Sequence, residues 1–331
     1  MRQLSLSNAT FEGNSNAYLL DEGAETVLID SGDSTDVSRD QLRSTLQESG
    51  HTFADIDRIL LTHWHGDHVG LAGEIQAAGG ATVHVHAADA PLVRGDADAW
   101  DDLQASWRTY LNEWGVPEAK REELYEHLPG REFVSTTPTV EPIADGDRFA
   151  VGDMHLTARH APGHAAGLCI YERDDGVAFS GDALLPKYTP NVGGADVRVD
   201  RPLAKYLTTL DAIVTADYDR VWPGHRDVIN APTDRAREII HHHEERSLRV
   251  LDALATHAPC DAWQVSDHLF GALEAIHILH GPGESYAHLE HLCHTGAAYR
   301  EGNEYDLTDT TRELLDAEAT ETIIDRYLYA T

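Results

Sequence analysis

The stretch LTHWHGDHVGLAG, residues 61–73, decides the fold of this 331-residue chain. Within six positions it contains three histidines and an aspartate: His63, His65, Asp67 and His68. The apolar run IDRILL precedes it and is typical of a buried strand, whereas DHVGLAGEIQAAGG predicts a helix that ends at its glycines. The histidine cluster is therefore expected where a strand ends and a helix begins.

Such a junction lets side chains on one short segment converge. His63 and His65 are two apart in an extended segment and can point the same way, while Asp67 and His68 in the first helical turn can approach from the other side. Neutral imidazole and carboxylate oxygen are both ligands of zinc and its neighbours. The sequence therefore predicts a metal site at this junction.

Three later segments place the same kinds of side chain after predicted strands. HAPGHAAG places His164 behind a Pro-Gly turn, VWPGHRD places His225 behind another, and FSGDALL places Asp182 at a strand end. Together with the first cluster they offer five histidines and two aspartates, which are enough for two metal ions with room for water.

The charge balance is strongly acidic, with 57 Asp and Glu against 25 Lys and Arg and a formal net charge of −32. One interpretation is attraction to a cationic partner. We favour a solubilising halophilic surface, adapted to molar intracellular salt, where the Debye length shrinks to about 3 Å. The acidic residues are spread over the whole chain, so net charge is poor evidence about partners.

Three cysteines, Cys169, Cys260 and Cys293, do not predict a disulfide framework. The N-terminal residues contain no apolar run of signal-peptide length, and no stretch reaches the roughly 18 apolar residues of a membrane span. The sequence therefore predicts a cytoplasmic protein that does not cross a membrane.

The order of predicted elements gives the domain organisation. We expect a catalytic domain at 1–232 with a helical insertion at about 96–128, a connecting helix at 233–257, and a C-terminal region at 258–331. The C-terminal region is predicted to hold helices at 261–269, 271–279 and 284–296, a hairpin around Gly302-Asn303, and a last helix. Helices that end in a small hairpin favour a winged-helix-like domain.

The motif HxHxDH at 63–68, PGH at 162–164, GD at 181–182 and PGH at 223–225 together resemble the metallo-β-lactamase superfamily over about residues 1–230. The resemblance implies an α/β (α+β) protein, an αββα sandwich with a dinuclear metal centre in the groove between its sheets. It also implies which residues hold each metal: His63, His65 and His164 the first, Asp67, His68 and His225 the second, with Asp182 bridging the two. The metals are expected to be two divalent ions, with zinc favoured over iron or manganese. Lactam hydrolysis is disfavoured, because class B β-lactamases often use a cysteine ligand and these positions contain none.

A second resemblance is to the beta-lactamase-like protein 2 branch, through FSGDALLPKYTPNVGG, HHHEERSLRVLDAL and GESYAHLEHLCHTGAAYREGNEYDL. That branch carries a C-terminal winged-helix-like domain, and some of its members resemble endoribonucleases that act on single-stranded RNA. The resemblance implies a small-molecule or RNA substrate. A homodimer is left open.

Two neighbouring cations lower the pKa of a shared water, so a hydroxide is available to attack a carbonyl carbon or phosphorus. Asp67 is expected to orient that water and accept its proton, and Lys187, Tyr188 and Asn191 are candidate substrate contacts. We therefore predict a metal-dependent hydrolase of an ester, thioester or phosphodiester.

Several alternatives to this function remain. Within the hydrolases they are a thioesterase of the hydroxyacylglutathione hydrolase type and a single-strand endoribonuclease. A non-catalytic nucleic-acid-binding protein is less favoured, because the predicted helix 284–296 has no lysine or arginine to meet phosphates. A di-iron redox protein ranks lowest, since no flavodoxin-like segment follows the sandwich.

Overall fold

The structure is a computed structural model that describes residues 1–8, 13–21, 23–130 and 133–327. Its strands are β1 (Arg2–Leu6), β2 (Ser15–Leu20), β3 (Val27–Ile29), β4 (Arg58–Leu60), β5 (Thr82–His86), β6 (Val140–Ile143), β7 (Arg148–Val151), β8 (Met154–His160), β9 (Cys169–Arg173), β10 (Val177–Gly181), β11 (Arg220–Pro223), β12 (Ala298–Glu301) and β13 (Glu304–Leu307). Its α-helices are α1 (Asp36–Glu48), α2 (Gly66–Val69), α3 (Ala72–Gly79), α4 (Ala90–Val93), α5 (Ala97–Glu113), α6 (Glu118–Tyr125), α7 (Pro202–Ala216), α8 (Pro232–His257), α9 (Ala262–Phe270), α10 (His277–His294), α11 (Asp309–Asp316) and α12 (Thr320–Tyr327). Among these described residues, no helix is both long enough and apolar enough to cross a membrane.

The chain forms two compact units. The first comprises Met1–Asp102, Pro129–Pro190 and Thr209–Ala236, and the second Leu103–Leu128, Asn191–Thr208 and Arg237–Thr331. The domain boundaries at 232 and 257 stay a prediction. Of the predicted domains, residues 9–12, 22, 131–132 and 328–331 lie outside the described residues.

The first unit contains two sheets. One has the strand order β1-β2-β3-β4-β5-β6, in which β1 to β3 are antiparallel and β3 to β6 parallel. The other has the order β11-β10-β9-β8-β7, and only β10 and β11 are parallel. This is the α/β sandwich class that the sequence predicted.

The core of the first unit lies between the two sheets. It includes buried residues of both: Tyr18, Leu20, Val27, Ile29 and Leu60 from the first, and Phe149, Val151, Leu156, Ala158, Cys169, Tyr171 and Phe179 from the second. All six residues of β2 and all three of β3 are buried; β3 is accordingly apolar throughout, whereas β2 begins with the buried polar residues Ser15 and Asn16.

Strand direction determines where the polar side chains meet. Because β3 and β4 are parallel, Asp30 after β3 and the histidine cluster after β4 lie at the same edge of the first sheet. In the second sheet the parallel pair β10 and β11 likewise ends at one edge, where Asp182 and His225 follow.

The helix after the histidine cluster differs from its prediction. The sequence predicted one helix over residues 67–80, whereas the structure has two, α2 and α3, separated at Gly70 and Leu71. A Cβ added at Gly70 would lie 2.3 Å from the backbone nitrogen of Ser34. The close approach of these two backbones accounts for the break.

The sequence predicted two helices, at 271–279 and 284–296, whereas the structure has one, α10, which begins at His277 and continues through the gap between them. That prediction was wrong. Pro282 lies inside this helix and is buried. An added Cβ at Gly283 would lie 2.4 Å from the Cα of Gly194. Close packing around this segment offsets the loss of stability from the one backbone hydrogen bond that proline removes.

Other predicted elements are confirmed in the second unit. The long helix predicted at 233–257 is α8, and the hairpin is β12 and β13, in which Glu301 pairs with Glu304 around the Gly302-Asn303 turn. The likeness to a winged-helix domain stays a prediction.

The core between the sheets can be tested at Phe179, which is fully buried with its ring centroid 5.0 Å from that of Tyr18. We expect Phe179→Ala to lower the free energy of unfolding by about 3–5 kcal/mol, since it leaves a cavity. Urea denaturation measures the change. The control Val37→Ala removes an apolar side chain that is 58% exposed and should cost far less. Equal losses for the two variants would contradict the core described above.

Candidate metal centre

Three histidines form one side of the site. The Nε2 of His63 lies 2.9 Å from the Nδ1 of His65, and the Nε2 of His164 lies 3.2 Å from the same Nδ1. His63 and His65 come from the segment after β4, and His164 comes from the loop after β8. One ring nitrogen of each lies within 4.8 Å of the others, as the ligands of a single cation do.

Asp67, His68 and His225 form the other side. The Oδ2 of Asp67 lies 3.3 Å from the Nε2 of His225 and 3.6 Å from the Nε2 of His68. Asp67 and His68 both lie on the short helix α2, and His225 follows β11. These three side chains also bring one ligand atom each within 4.8 Å of one another.

Asp182 lies between the two groups. Its Oδ1 is 3.5 Å from the Nε2 of His68, and its Oδ2 is 3.4 Å from the Nε2 of His225 and 3.7 Å from the Nε2 of His164. The structure thus brings together all seven side chains that the sequence singled out as ligands.

The chemistry of these side chains fits divalent metal ions. Six of the seven are buried, and His65 is partly exposed. Two buried atoms, the Nε2 of His68 and the Oδ1 of Asp182, have no hydrogen-bond partner among the residues that the structure describes. Buried polar atoms are nearly always satisfied, so unpartnered atoms that face one another fit a site for a cation. The histidine and aspartate clusters are therefore suited to divalent metals.

The electrostatics of the site favour cations. Burial alone would raise the pKa of Asp182, but the neighbouring His225 and His68 hold it well below its usual value. Burial would lower the pKa of His225, yet Asp182 and Asp67 raise it to about 10. Without metal, Asp182 and Asp67 therefore favour the protonated form of His225, and a metal ion that binds there must displace that proton.

His63 is in the opposite state. Burial, together with the neighbouring His68 and His65, lowers the pKa of His63 well below its usual value. Its imidazole is therefore neutral, which is the form that binds a metal.

A glycine permits the close approach of the loops. A Cβ added at Gly224 would lie 2.2 Å from the Oδ1 of Asp182 and 2.7 Å from the Cε1 of His68. Residues with a side chain are thus excluded between Pro223 and His225. This explains the Pro-Gly-His turn in physical terms.

The sequence interpretation missed Asp30. This buried carboxylate accepts hydrogen bonds from the backbone nitrogen and the Oγ1 of Thr62, at 2.7 and 2.8 Å, and lies 2.8 Å from the Nδ1 of His68. A carboxylate behind a histidine fixes the orientation and tautomer of the ring. The sequence offered one signal for this residue. Asp30 directly follows strand β3, just as the predicted ligand Asp182 directly follows strand β10.

Asp67 is also held by neighbours that sequence reasoning missed. Its Oδ2 accepts hydrogen bonds from the Nδ2 of Asn8 at 2.9 Å and from the Oγ of Ser15 at 3.2 Å. These bonds fix the carboxylate in the direction of His225.

The three predicted substrate contacts differ in their surroundings. Lys187 and Tyr188 are exposed, and the tyrosine ring lies beside the lysine Nζ at 5.2 Å. The side chain of Asn191 bonds within the second unit: its Nδ2 donates to the His280 carbonyl, and its Oδ1 accepts from the Gly194 backbone. Their roles toward a substrate stay predictions, and the hydrogen bonds of Asn191 do not favour one.

Comparison with known families gives one match over most of the first unit. The profile of the metallo-beta-lactamase superfamily matches residues 10–225. This range contains all seven converging side chains.

Individual relatives agree with that match. A beta-lactamase-like protein 2 homolog of Drosophila melanogaster is 28% identical over 74% of this chain and 69% of its own length. An atrochrysone carboxyl ACP thioesterase of Aspergillus terreus is 29% identical over 53% of this chain, but only 40% of its own length is covered. The chain also spans 52–61% of the length of four fungal lactamase-like relatives.

A solved structure is similar over nearly its whole length. The crystal structure of a metallo-beta-lactamase family protein from Thermus thermophilus superposes with a TM-score of 0.79 at 32% identity, covering 93% of this chain and 98% of that one. The similarity therefore extends through both compact units.

The carboxylate behind His68 gives a test of the site. We expect Asp30→Asn to weaken metal binding about 10–100-fold, because the amide cannot hold the imidazole as the carboxylate does. Asparagine also tolerates the positive φ of 57° at this position, so the backbone should be preserved. Competition titration with a chromophoric chelator measures the affinity. Asp55→Asn, a change to an exposed carboxylate that bonds to Thr52 in its own turn, is the control. Unchanged affinity in Asp30→Asn would show that this bond does not support the site.

Proposed function

This chain belongs to the metallo-β-lactamase superfamily and is a hydrolase of that fold, and from that premise we propose that it cleaves an ester, thioester or phosphodiester bond with two divalent metal ions. The observation that carries the proposal is the position of Asp182. Its carboxylate lies within 3.7 Å of histidines from both ligand groups, as a bridging ligand must.

In this proposal His63, His65 and His164 would hold one ion, Asp67, His68 and His225 would hold the other, and Asp182 would contact both. Zinc is the favoured metal because nitrogen ligands predominate and cysteine is absent from the set; iron and manganese are the alternatives. When bound, the two ions supply an activated water and an electrophile for the developing oxyanion.

Asp67 contributes the proton-transfer step. Its carboxylate orients the attacking water and accepts its proton, and then returns that proton to the leaving group. Asn8 and Ser15 hold the carboxylate in place, and His68 and His225 keep its pKa low despite burial, which on its own would raise that pKa. The carboxylate is therefore ionised, which is the form that can accept a proton.

Among the three bonds we favour the thioester, in a small-molecule substrate. The support is the relative from Aspergillus terreus that is named as a thioesterase, whose similarity is limited to 53% of this chain. Single-stranded RNA, which the sequence resemblance also implied, is the second substrate class to be tested.

The metal content tests the site directly. Purified protein should contain close to two transition-metal ions per chain by elemental analysis. His65→Ala should lose about one of them, because it removes one of three ligands from a single group. His241→Ala, which changes an exposed histidine paired with Glu244, should keep both. A wild-type protein without metal after growth with ample zinc, iron and manganese would contradict the dinuclear centre.

A substrate panel tests the reaction. We expect the metal-loaded protein to hydrolyse an acyl thioester faster than an aryl ester, an aryl phosphodiester or single-stranded RNA. Asp67→Asn should lower kcat about 10²–10⁴-fold, since the amide cannot accept the proton. Asp174→Asn, a change to an exposed carboxylate paired with Arg148, is the control and should keep normal turnover. Normal turnover by Asp67→Asn with both metals bound would place the base elsewhere, and fastest cleavage of RNA would replace the thioester proposal.

A further inference from the structure

A cleft of about 700 Å³ opens in the first unit beside the last metal-site loop. Its lining includes Gln3, Ser5, Asn14, Lys187, Arg226 and Asp227. Two of these residues connect it to the site: Arg226 directly follows His225, and the backbone oxygen of Asn14 lies 3.3 Å from the Nδ1 of His225. A molecule in this cleft is therefore next to His225, one of the residues that would hold the second metal.

The cleft carries two cationic side chains in a strongly acidic chain. Lys187 is one of only three lysines in the sequence, and Asp and Glu outnumber Lys and Arg by 57 to 25. Even so, neither Lys187 nor Arg226 forms an ion pair with any residue of the described ranges. Within the same ranges, the buried Nε of Arg226 has no hydrogen-bond partner. One carboxylate, that of the exposed Asp227, lines the same cleft, so the cations exceed it by one.

An aromatic ring connects the two cations. Tyr188 lies with its ring centroid 5.2 Å from the Nζ of Lys187 and 4.7 Å from the Cζ of Arg226. Cation–π contacts at these distances hold both groups without neutralising their charge. The charges therefore remain available to a ligand.

The backbone of this cationic pair is also fixed. Arg235 donates to the carbonyls of Leu185 and Tyr188, at 2.7 and 3.0 Å. The carbonyl of Arg226 accepts hydrogen bonds from Gln3 at 3.1 Å and from Asn16 at 2.8 Å. A ligand would thus meet cationic side chains whose backbone is already in position, which lowers the entropic cost of binding.

We propose that this cleft binds an anionic group of the substrate, a phosphate or a carboxylate, through Lys187 and Arg226; the proposal rests on the proposed function in taking the metal site as the place of hydrolysis. A guanidinium binds either group with two parallel hydrogen bonds, and an ammonium adds a point charge. The scissile bond would then be held beside His225, at a fixed distance from the anion.

Three acetyl thioesters test this assignment: those of pantetheine, which is uncharged, of coenzyme A, which carries phosphates, and of glutathione, which carries carboxylates. We expect wild-type kcat/KM to be at least tenfold higher for one of the two anionic thioesters than for the neutral one, because charge-assisted hydrogen bonds contribute binding energy of that order. A preference for the coenzyme A thioester would identify the bound anion as a phosphate, and a preference for the glutathione thioester would identify it as a carboxylate.

The double variant Lys187→Gln/Arg226→Gln should lower kcat/KM about tenfold for the preferred anionic thioester and less than threefold for the neutral one. Arg220→Gln removes an exposed arginine at the start of β11, outside the cleft, and should change neither value. The wild-type preference should shrink in 2 M KCl, where salt screens the charges. Equal losses on all three thioesters, or no wild-type preference, would overturn the proposal.

A binding measurement separates this proposal from the proposed function. If the wild type hydrolyses none of the substrates, the proposed function fails, and calorimetric titration of inorganic phosphate and of acetate into the metal-loaded protein decides the subsite alone. Binding about tenfold weaker in the double variant than in wild type and Arg220→Gln would support the subsite. Equal affinities in all three proteins would overturn it.

Discussion

The burial of Asp182 among histidines is the constraint on which the rest of the structure depends. A carboxylate in this position must be compensated, because an isolated buried charge costs several kcal/mol. Its compensation comes from His164, His68 and His225, which follow different strands and are far apart in sequence. The two sheets must therefore pack in one register for the loops to meet, and the apolar core between the sheets supplies that register. The packing that forms the core therefore also assembles the site.

The ligand side chains could be predicted from sequence because each carries a local mark. Every one of them follows a predicted strand, and His164 and His225 also follow a Pro-Gly turn. Asp30 was missed although it too follows a strand, because nothing nearby in sequence shows that it faces His68. The helix through Pro282 was missed for a related reason. A proline predicts a break locally, and only packing against distant residues such as Gly194 reveals why the helix continues.

The net charge of the chain and the position of individual charged residues give different information about the substrate. A net charge of −32 indicates nothing about the substrate, since acidic residues are distributed over the whole sequence. Lys187 and Arg226 do carry information, because they lie together in a cleft although they are 39 positions apart in sequence. No pattern in the sequence joins these two residues. Their association follows from the fold, which places the loop after β10 beside the turn after β11.

Two groups of residues therefore have different roles at this site: one group would hold the metal ions, and the other would bind the substrate. The seven clustered side chains, supported by Asp30, Asn8 and Ser15, would hold metal ions whose chemistry does not depend on the identity of the acyl or phosphoryl group. Selectivity has to come from groups that bind the rest of the substrate and hold the scissile bond in reach. Around the cleft those groups are carried by loop residues, whose side chains can change without disturbing the sheets that align the ligands. A fixed set of ligand side chains surrounded by variable loops lets one fold serve several hydrolytic reactions, and in our proposal Lys187 and Arg226 in the cleft select the substrate of this chain.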